Sequence, residues 1–216
     1  QMDNDVILIS GLPGSGSTTV SKIVAKDLGF FYFTPGRIFK DIGKGVIKEQ
    51  SYYQDFKKLC DKNNLDISNF RAKNDSEAVS LVWKSELGKS RKLHEAIDNF
   101  QKYLASKGKV VIDGKLSFYF IENPEPKVWL RAPLEDRAMR NSRRDNISIE
   151  DATILLENRV SREREEWRRL YNIDYFKGET LADIIIETIP EAEYIANRIT
   201  DEYRIRKLYG KLNLKV

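Results

Sequence analysis

Gly11-Leu12-Pro13-Gly14-Ser15-Gly16-Ser17-Thr18-Thr19 lies between the apolar run Val6–Ser10 and a stretch of helical periodicity, Thr18–Leu28. A glycine-rich loop after a strand and before a helix is the setting in which main-chain amides cradle phosphate groups. The glycines let the backbone turn tightly and aim successive N–H groups inward, and the helix N-terminus adds positive potential there. Against the pattern G-x-x-x-x-G-K-[ST] one position fails: Ser17 stands where a lysine would reach the β- and γ-phosphates. Thr18 occupies the hydroxyl position that holds Mg2+, and Thr19 continues the helix behind it. Gly11, Pro13, Gly14, Ser15, Gly16, Ser17, Thr18 and Thr19 are therefore the expected contacts to nucleotide phosphates. The amide cradle survives the loss of the lysine. What is lost is fixed charge where charge shifts during phosphoryl transfer, and groups of that kind supply about 3–4 kcal/mol of transition-state stabilisation.

Working outward, the apolar runs Val6–Ser10, Phe30–Phe33, Val110–Asp113, Lys127–Leu130 and Asp183–Glu187 read as strands. VILIS, VVID and DIIIE are continuously apolar and β-branched, as in parallel strands buried on both faces. Helical patterns separate them: Thr18–Leu28, Gly36–Glu49, one or two helices in Ser76–Lys107, Pro133–Arg144, Ile149–Tyr171 and Glu191–Leu208. Alternation of strand and helix predicts an α/β fold, a five-stranded parallel sheet with helices on both faces. Gly43–Asp75, rich in Lys, Asn and Asp, reads as small helices forming a flap over one end of the sheet.

The chain has 216 residues, 41% hydrophobic and 32% charged, enough for one sizeable core and unlike a disordered chain. A net charge of +4 does not by itself imply a nucleic-acid partner. One cysteine, Cys60, excludes an internal disulfide, and with one histidine, His94, it excludes a Cys/His zinc site. Cys60 reads as a small core residue. No run approaches the ~20 apolar residues of a membrane helix, and no basic-then-apolar leader is visible, so the expected location is the cytoplasm with no membrane partner.

Asp113 ends the run VVID and suits a role in holding Mg2+ or its water, alongside Thr18. The other reading of Asp113-Gly114 is a plain turn. Between Arg137 and Arg169 stand nine arginines and no lysine. Arginine presents a planar fork that pairs bidentately with phosphate oxygens. Arg137, Arg140 and Arg144 share one helix face, and Arg159 lies on the next helix after a break at Asp145–Ser148, where Ser148 can cap. Phosphate contact is the expectation for these four. Arg162, Arg164, Arg168 and Arg169, in SREREEWRR, read as a solvated face of ion pairs. The basic tail reads as a surface helix.

GLPGSGSTT, TPGRIFKDIG, VVIDGKLS, VWLRAPLEDRAMRNSRRD, LYNID and ADIIIET occur in that order across roughly 6–190 and resemble the archaeal-type cytidylate kinases among the nucleoside monophosphate kinases. The resemblance implies the three-layer fold of P-loop NTPases. It implies a core (5–35, 108–136 and 172–200) holding ATP and Mg2+, an NMP-binding region (about 36–107), an arginine-bearing lid (about 137–170) and a C-terminal helix (191–216). It implies phosphoryl transfer to a nucleoside monophosphate, usually CMP or dCMP. Carried over by position, Gly36, Arg37, Lys40, Gly114 and Lys115 fall in the acceptor motifs, and Arg137, Arg140, Arg144, Arg159 and Lys115 are the candidate catalytic cations. The chain departs from the family pattern at Ser17, at Lys40 and Lys115 (arginine in the family), at Arg37 (usually acidic) and at Glu166 (another lid arginine). Two rival classes stay open: a nucleotide-binding pseudoenzyme, and a nucleic-acid-binding protein using the arginines and the basic tail.

Overall fold

The computed structural model describes residues 5–47, 51–188 and 191–213. Five strands form one parallel sheet in the order β2-β3-β1-β4-β5: β1 (Val6–Gly11), β2 (Phe31–Phe33), β3 (Val110–Asp113), β4 (Lys127–Arg131) and β5 (Ile184–Glu187). The fold class is the expected one, and each expected strand is present to within a residue. β1 is buried along its whole length, as a strand paired on both edges and covered on both faces must be. Its register sets Ile9 beside Asp113 of β3 and Gly11 beside Leu130 of β4.

The chain forms two compact units, residues 1–32 with 108–216, and 33–107. In the first, α1 (Ser17–Leu28) and α10 (Ala192–Asn213) cover one face of the sheet, where Val20, Val24, Ile195, Ala196 and Ile199 meet Ile7, Ile9, Val111, Val128 and Ile186. On other sheet residues, the short α7 (Ser117–Phe120) places Phe118 edge-on to Trp129, and the 3-10 turn Tyr175–Leu181 packs Gly178 against the same indole. Neither element is legible from periodicity, being too short to show a period. α8 (Leu134–Asp145) and α9 (Ile149–Tyr171) pair as a hairpin around Ala138, Ala152 and Leu156. Glu135 and Asp136 open α8, and Arg143 and Arg144 close it, each sign suited to its end of the helix dipole. Ser148 caps α9 as expected, its hydroxyl accepting from Asp151 N at 3.0 Å.

The second unit holds α2 (Pro35–Lys44), α3 (Gln54–Lys62), α4 (Asp75–Lys84), α5 (Glu86–Lys89) and α6 (Arg91–Lys107). Its core is aromatic: Phe33 meets Phe100 edge-on, and Phe39 stacks on Trp83 at 5.0 Å. The helix expected over Gly36–Glu49 stops at Lys44, because Gly45 takes φ 74° and returns its N–H to the last carbonyls; residues 48–50 lie outside the described residues. Ser76–Lys107 divides into three helices, not one or two. Ser85 ends α4 and caps α5, its hydroxyl accepting from Gly88 N at 3.1 Å. α10 runs to Asn213, past the expected end at Leu208. Cys60 is a buried core thiol, and His94 packs beside Phe39 with Nε2 2.9 Å from Gly88 O.

Candidate phosphate-binding site

Ligands of open parallel sheets bind beyond the carboxyl ends of the strands, and there the residues 11–18 turn from β1 into α1. Gly16, the N-cap of α1, has φ 91° and Gly14 has φ 83°, a region that favours glycine. A Cβ on Gly14 would also lie 3.0 Å from that of Arg137, so a side chain here would press against α8. Ser15 N donates to Leu12 O at 3.0 Å and closes the turn, while Val20 N to Gly16 O starts the helix. The first amides of α1 have no intrahelical acceptor, which makes this end of the helix suited to an anion.

The loop is held from outside by α8. Arg137, buried, donates from Nη1 to Pro13 O at 3.2 Å and from Nε to Ala132 O at 3.1 Å. Arg140 Nη1 donates to Gly14 O at 3.3 Å, to Ser15 O at 3.2 Å and to Thr188 Oγ1 at 3.1 Å, and Nη2 donates to Thr188 O. Both guanidiniums are thus bonded to carbonyl oxygens of the loop. Burial holds Arg137 below the usual arginine range. Thr188, just past β5, accepts from the same guanidinium, so Arg140 ties the loop to the β5 edge of the sheet. Nothing in the sequence setting of Thr188 signals that role.

Thr18 donates its hydroxyl proton to Asp113 Oδ2 at 2.8 Å. This joins two oxygens expected to share a cation. Burial pushes the Asp113 carboxyl up, against the opposing pull of the Thr18 and Ser17 hydroxyls, the Lys115 charge and the Tyr32 hydroxyl. Among the described residues no cluster of three or more His, Cys, Asp or Glu could hold a metal. Two protein oxygens next to a phosphate cradle fit Mg2+, which keeps several waters and takes phosphate oxygens as further ligands.

Lys115 does not stand alone. Its ammonium donates to Glu163 Oε2, and Arg159 Nε donates to Glu163 Oε1 at 2.8 Å. Burial lowers the Lys115 value, more than the Glu163 charge raises it. Burial alone would raise Glu163, but the charges of Lys115 and Arg159 bring it below the ordinary value. Arg144 pairs with its neighbour Asp145 at 2.7 Å. Three of the four arginines expected to form a solvated face of ion pairs make them: Arg169 with Glu166 inside α9, and Arg164 and Arg168 with Asp174 beyond it. Glu163 was legible only as one of the Glu–Arg pairs of SREREEWRR; its i,i+4 relation to Arg159 was there to read, its pairing with Lys115 was not.

In the second unit, Arg37 Nε donates to Asp41 at 3.3 Å, and Tyr53 donates to the same carboxylate at 2.8 Å. Lys40 and Lys44 both pair with Asp75. Gly36 lies in the first turn of α2, ahead of them.

No described helix is long and apolar enough to cross a membrane. Two solved structures share the fold: a protein from Eubacterium ventriosum (TM-score 0.54, 14% identity, 92% of this chain and 98% of that one) and one from Thermus thermophilus (TM-score 0.51, 18% identity, 96% and 97%). Among curated relatives, the cytidylate kinase of Pyrococcus horikoshii is 31% identical over 190 residues, covering 86% of this chain and 81% of the relative. That of Archaeoglobus fulgidus is 30% identical over 207 residues, 94% and 96%. The sequence profile of the cytidylate kinase-like family matches residues 6–189, and with the cradle, the Thr18–Asp113 pair and the sheet order already in place, the chain belongs to that family.

Proposed function

We propose that the chain transfers the γ-phosphoryl group of ATP to a nucleoside monophosphate, with CMP or dCMP as acceptor. The observation that carries the reading is the Thr18–Asp113 oxygen pair beside an amide cradle, in a chain whose curated relatives are cytidylate kinases. The acceptor is already an anion, so the reaction needs neither a covalent intermediate nor a strong base. It needs alignment and neutralisation of charge.

Amides of 11–18 bind the polyphosphate, with Arg137 and Arg140 bracing the loop from behind. Thr18 and Asp113 would hold Mg2+, which supplies charge neutralisation on the phosphates. Lys115, Arg159 and Arg144 neutralise the transferring group, and Gly114 with Lys115 is assigned to the acceptor on the strength of the family motif. Within the second unit, Gly36, Arg37 and Lys40 are assigned to the acceptor, on the strength of the family motif. Closure of the α8–α9 hairpin would exclude water and suppress hydrolysis.

The test is a coupled ADP-release assay with Mg·ATP against CMP, dCMP, UMP, AMP and GMP. The expected result is ADP formation that depends on acceptor and is fastest with CMP or dCMP. Preference for another base would correct the acceptor. Stabilisation by Mg·ATP with no turnover on any acceptor would replace the kinase with a nucleotide-binding pseudoenzyme.

A further inference from the structure

The carboxylate of Glu163 is shared by two cations from separate parts of the first unit. Lys115 lies two residues beyond the end of β3, and Arg159 lies one turn before Glu163 on α9. Each takes one oxygen of the carboxylate. The Tyr175 hydroxyl stands 3.5 Å from Oε2, and the Lys115 ammonium sits 5.7 Å from the centroid of the Tyr175 ring. The side chains of Glu163 and Lys115 are 17% and 22% exposed, so their contact is largely enclosed, while Arg159, 49% exposed, stays open to solvent. Lysine and arginine repel at such separations. They lie side by side because the carboxylate stands between them.

The cluster is near the phosphate loop for reasons of register. Ile9 lies beside Asp113, and Gly114 N donates to Ile9 O at 3.3 Å, so the chain after β3 rises next to the start of the loop. Lys115 follows by two residues Asp113, the acceptor of the Thr18 hydroxyl. Thr18 is the neighbour of Ser17, where the loop has no ammonium.

We propose that Glu163 is a positioning residue of the phosphoryl-transfer site: its carboxylate holds Lys115 and Arg159 together beside the loop, and that pair supplies the positive charge absent at Ser17. The inference rests on the kinase reading above. The carboxylate takes one donor from each cation, which leaves the other N–H groups of the Lys115 ammonium and the Arg159 guanidinium for a polyphosphate. Glu163 thereby keeps both cations together and oriented as the phosphates bind. The alternative is a structural ion pair that ties α9 to the end of β3.

The test uses Glu163→Gln and Lys115→Met, each alone and combined with Ser17→Lys. It has two readouts: the ratio of Mg·ATP to Mg·ADP affinity by calorimetry, and kcat and KM in the ADP-release assay. Each single variant is expected to lower kcat at least about ten-fold with KM for ATP within about three-fold, the signature of a charge felt mainly in the transition state. Each is expected to lower the ATP-to-ADP affinity ratio about five-fold, and Ser17→Lys to restore most of both losses. An affinity ratio at the parent value, or a loss that Ser17→Lys does not relieve, would leave only the structural ion pair and overturn the proposal. So would kcat within about three-fold of the parent in both variants. If Glu163→Gln fails to fold, Lys115→Met with and without Ser17→Lys decides by the same readouts. A parent chain that binds Mg·ATP but turns over no acceptor sinks the kinase reading alone, and the affinity ratio then decides the inference. A parent that binds neither nucleotide sinks both.

Discussion

Arg137 Nη1 donates to the main-chain oxygen of Pro13 at 3.2 Å, from inside α8 to the outer side of the phosphate loop. Arg137 is 7% exposed and its guanidinium also bonds Ala132 O, so one side chain satisfies a buried carbonyl at Pro13 and a partly buried one at Ala132. The loop's shape thus depends on a helix more than a hundred residues away in sequence. Arg137→Ala is expected to cost about 2–3 kcal/mol, the penalty for leaving buried acceptors unpaired. Arg137→Lys should recover less than half, because an ammonium lacks the planar fork that spans both oxygens. Urea unfolding of the two variants checks this; equal midpoints for the parent and Arg137→Ala would refute it.

Asp113 accepts from Thr18 at the mouth of the cradle. Asp113→Asn keeps the shape and removes the charge. The expected loss is about 10–100-fold in Mg2+ affinity, typical of removing a group that orients a metal's ligands. Mg·ATP binding should weaken while ATP binding in EDTA stays at the parent value. A titration in which both affinities fall equally would point to loss of the cradle instead.

Asp174 sits at the end of α9, accepting from Arg164 at 3.0 and 2.5 Å and from Arg168 at 2.7 Å. The Arg164 hydrogen bond, aided by Arg168 and by Phe176 N, outweighs burial and brings the carboxyl down from 3.8 to about 2. A lowered folded value means the unfolded chain takes the proton first. The stabilisation is therefore complete above about pH 4 and fades as pH falls toward about 2. Asp174→Asn should be less stable than the parent at pH 7, and its urea midpoint should fall less steeply between those limits. Parallel midpoint curves for the two proteins would show that the cluster contributes nothing.

Cys60 is 1% exposed in α3, and burial, with a smaller contribution from Asp61, pushes its thiol up to about 12. At pH 8 the folded protein should resist maleimide labelling, with modification tracking unfolding in urea. Fast stoichiometric labelling without denaturant would show that α3 opens readily.

The strands and most helices were legible because a strand buried on both faces and an amphipathic helix each carry their period in the local sequence. VILIS, VVID and DIIIE became β1, β3 and β5, and Ile149–Tyr171 is helical over the whole expected range. The misses are local competitions. Gly45 ended α2 early, and breaks at Ser85 and Ser90 divided a stretch that read as one or two helices into three. Of the site, the loop and the Thr18–Asp113 pair could be read, since a motif and a strand end are sequence features. The partners of the arginines could not. Arg137 and Arg140 share a face as expected, yet that face meets loop carbonyls, and Arg144 on the same row turns to Asp145.

By itself, then, the sequence determined the element order, the cradle and the missing lysine, all of which are written in neighbouring residues. Tertiary structure alone decided that α8 grips the loop from outside and that Glu163 takes both Lys115 and Arg159 as partners. A charge's partner depends on which groups the folded chain brings within hydrogen-bonding distance, and Lys115 and Glu163 are separated by 48 residues that no local period relates.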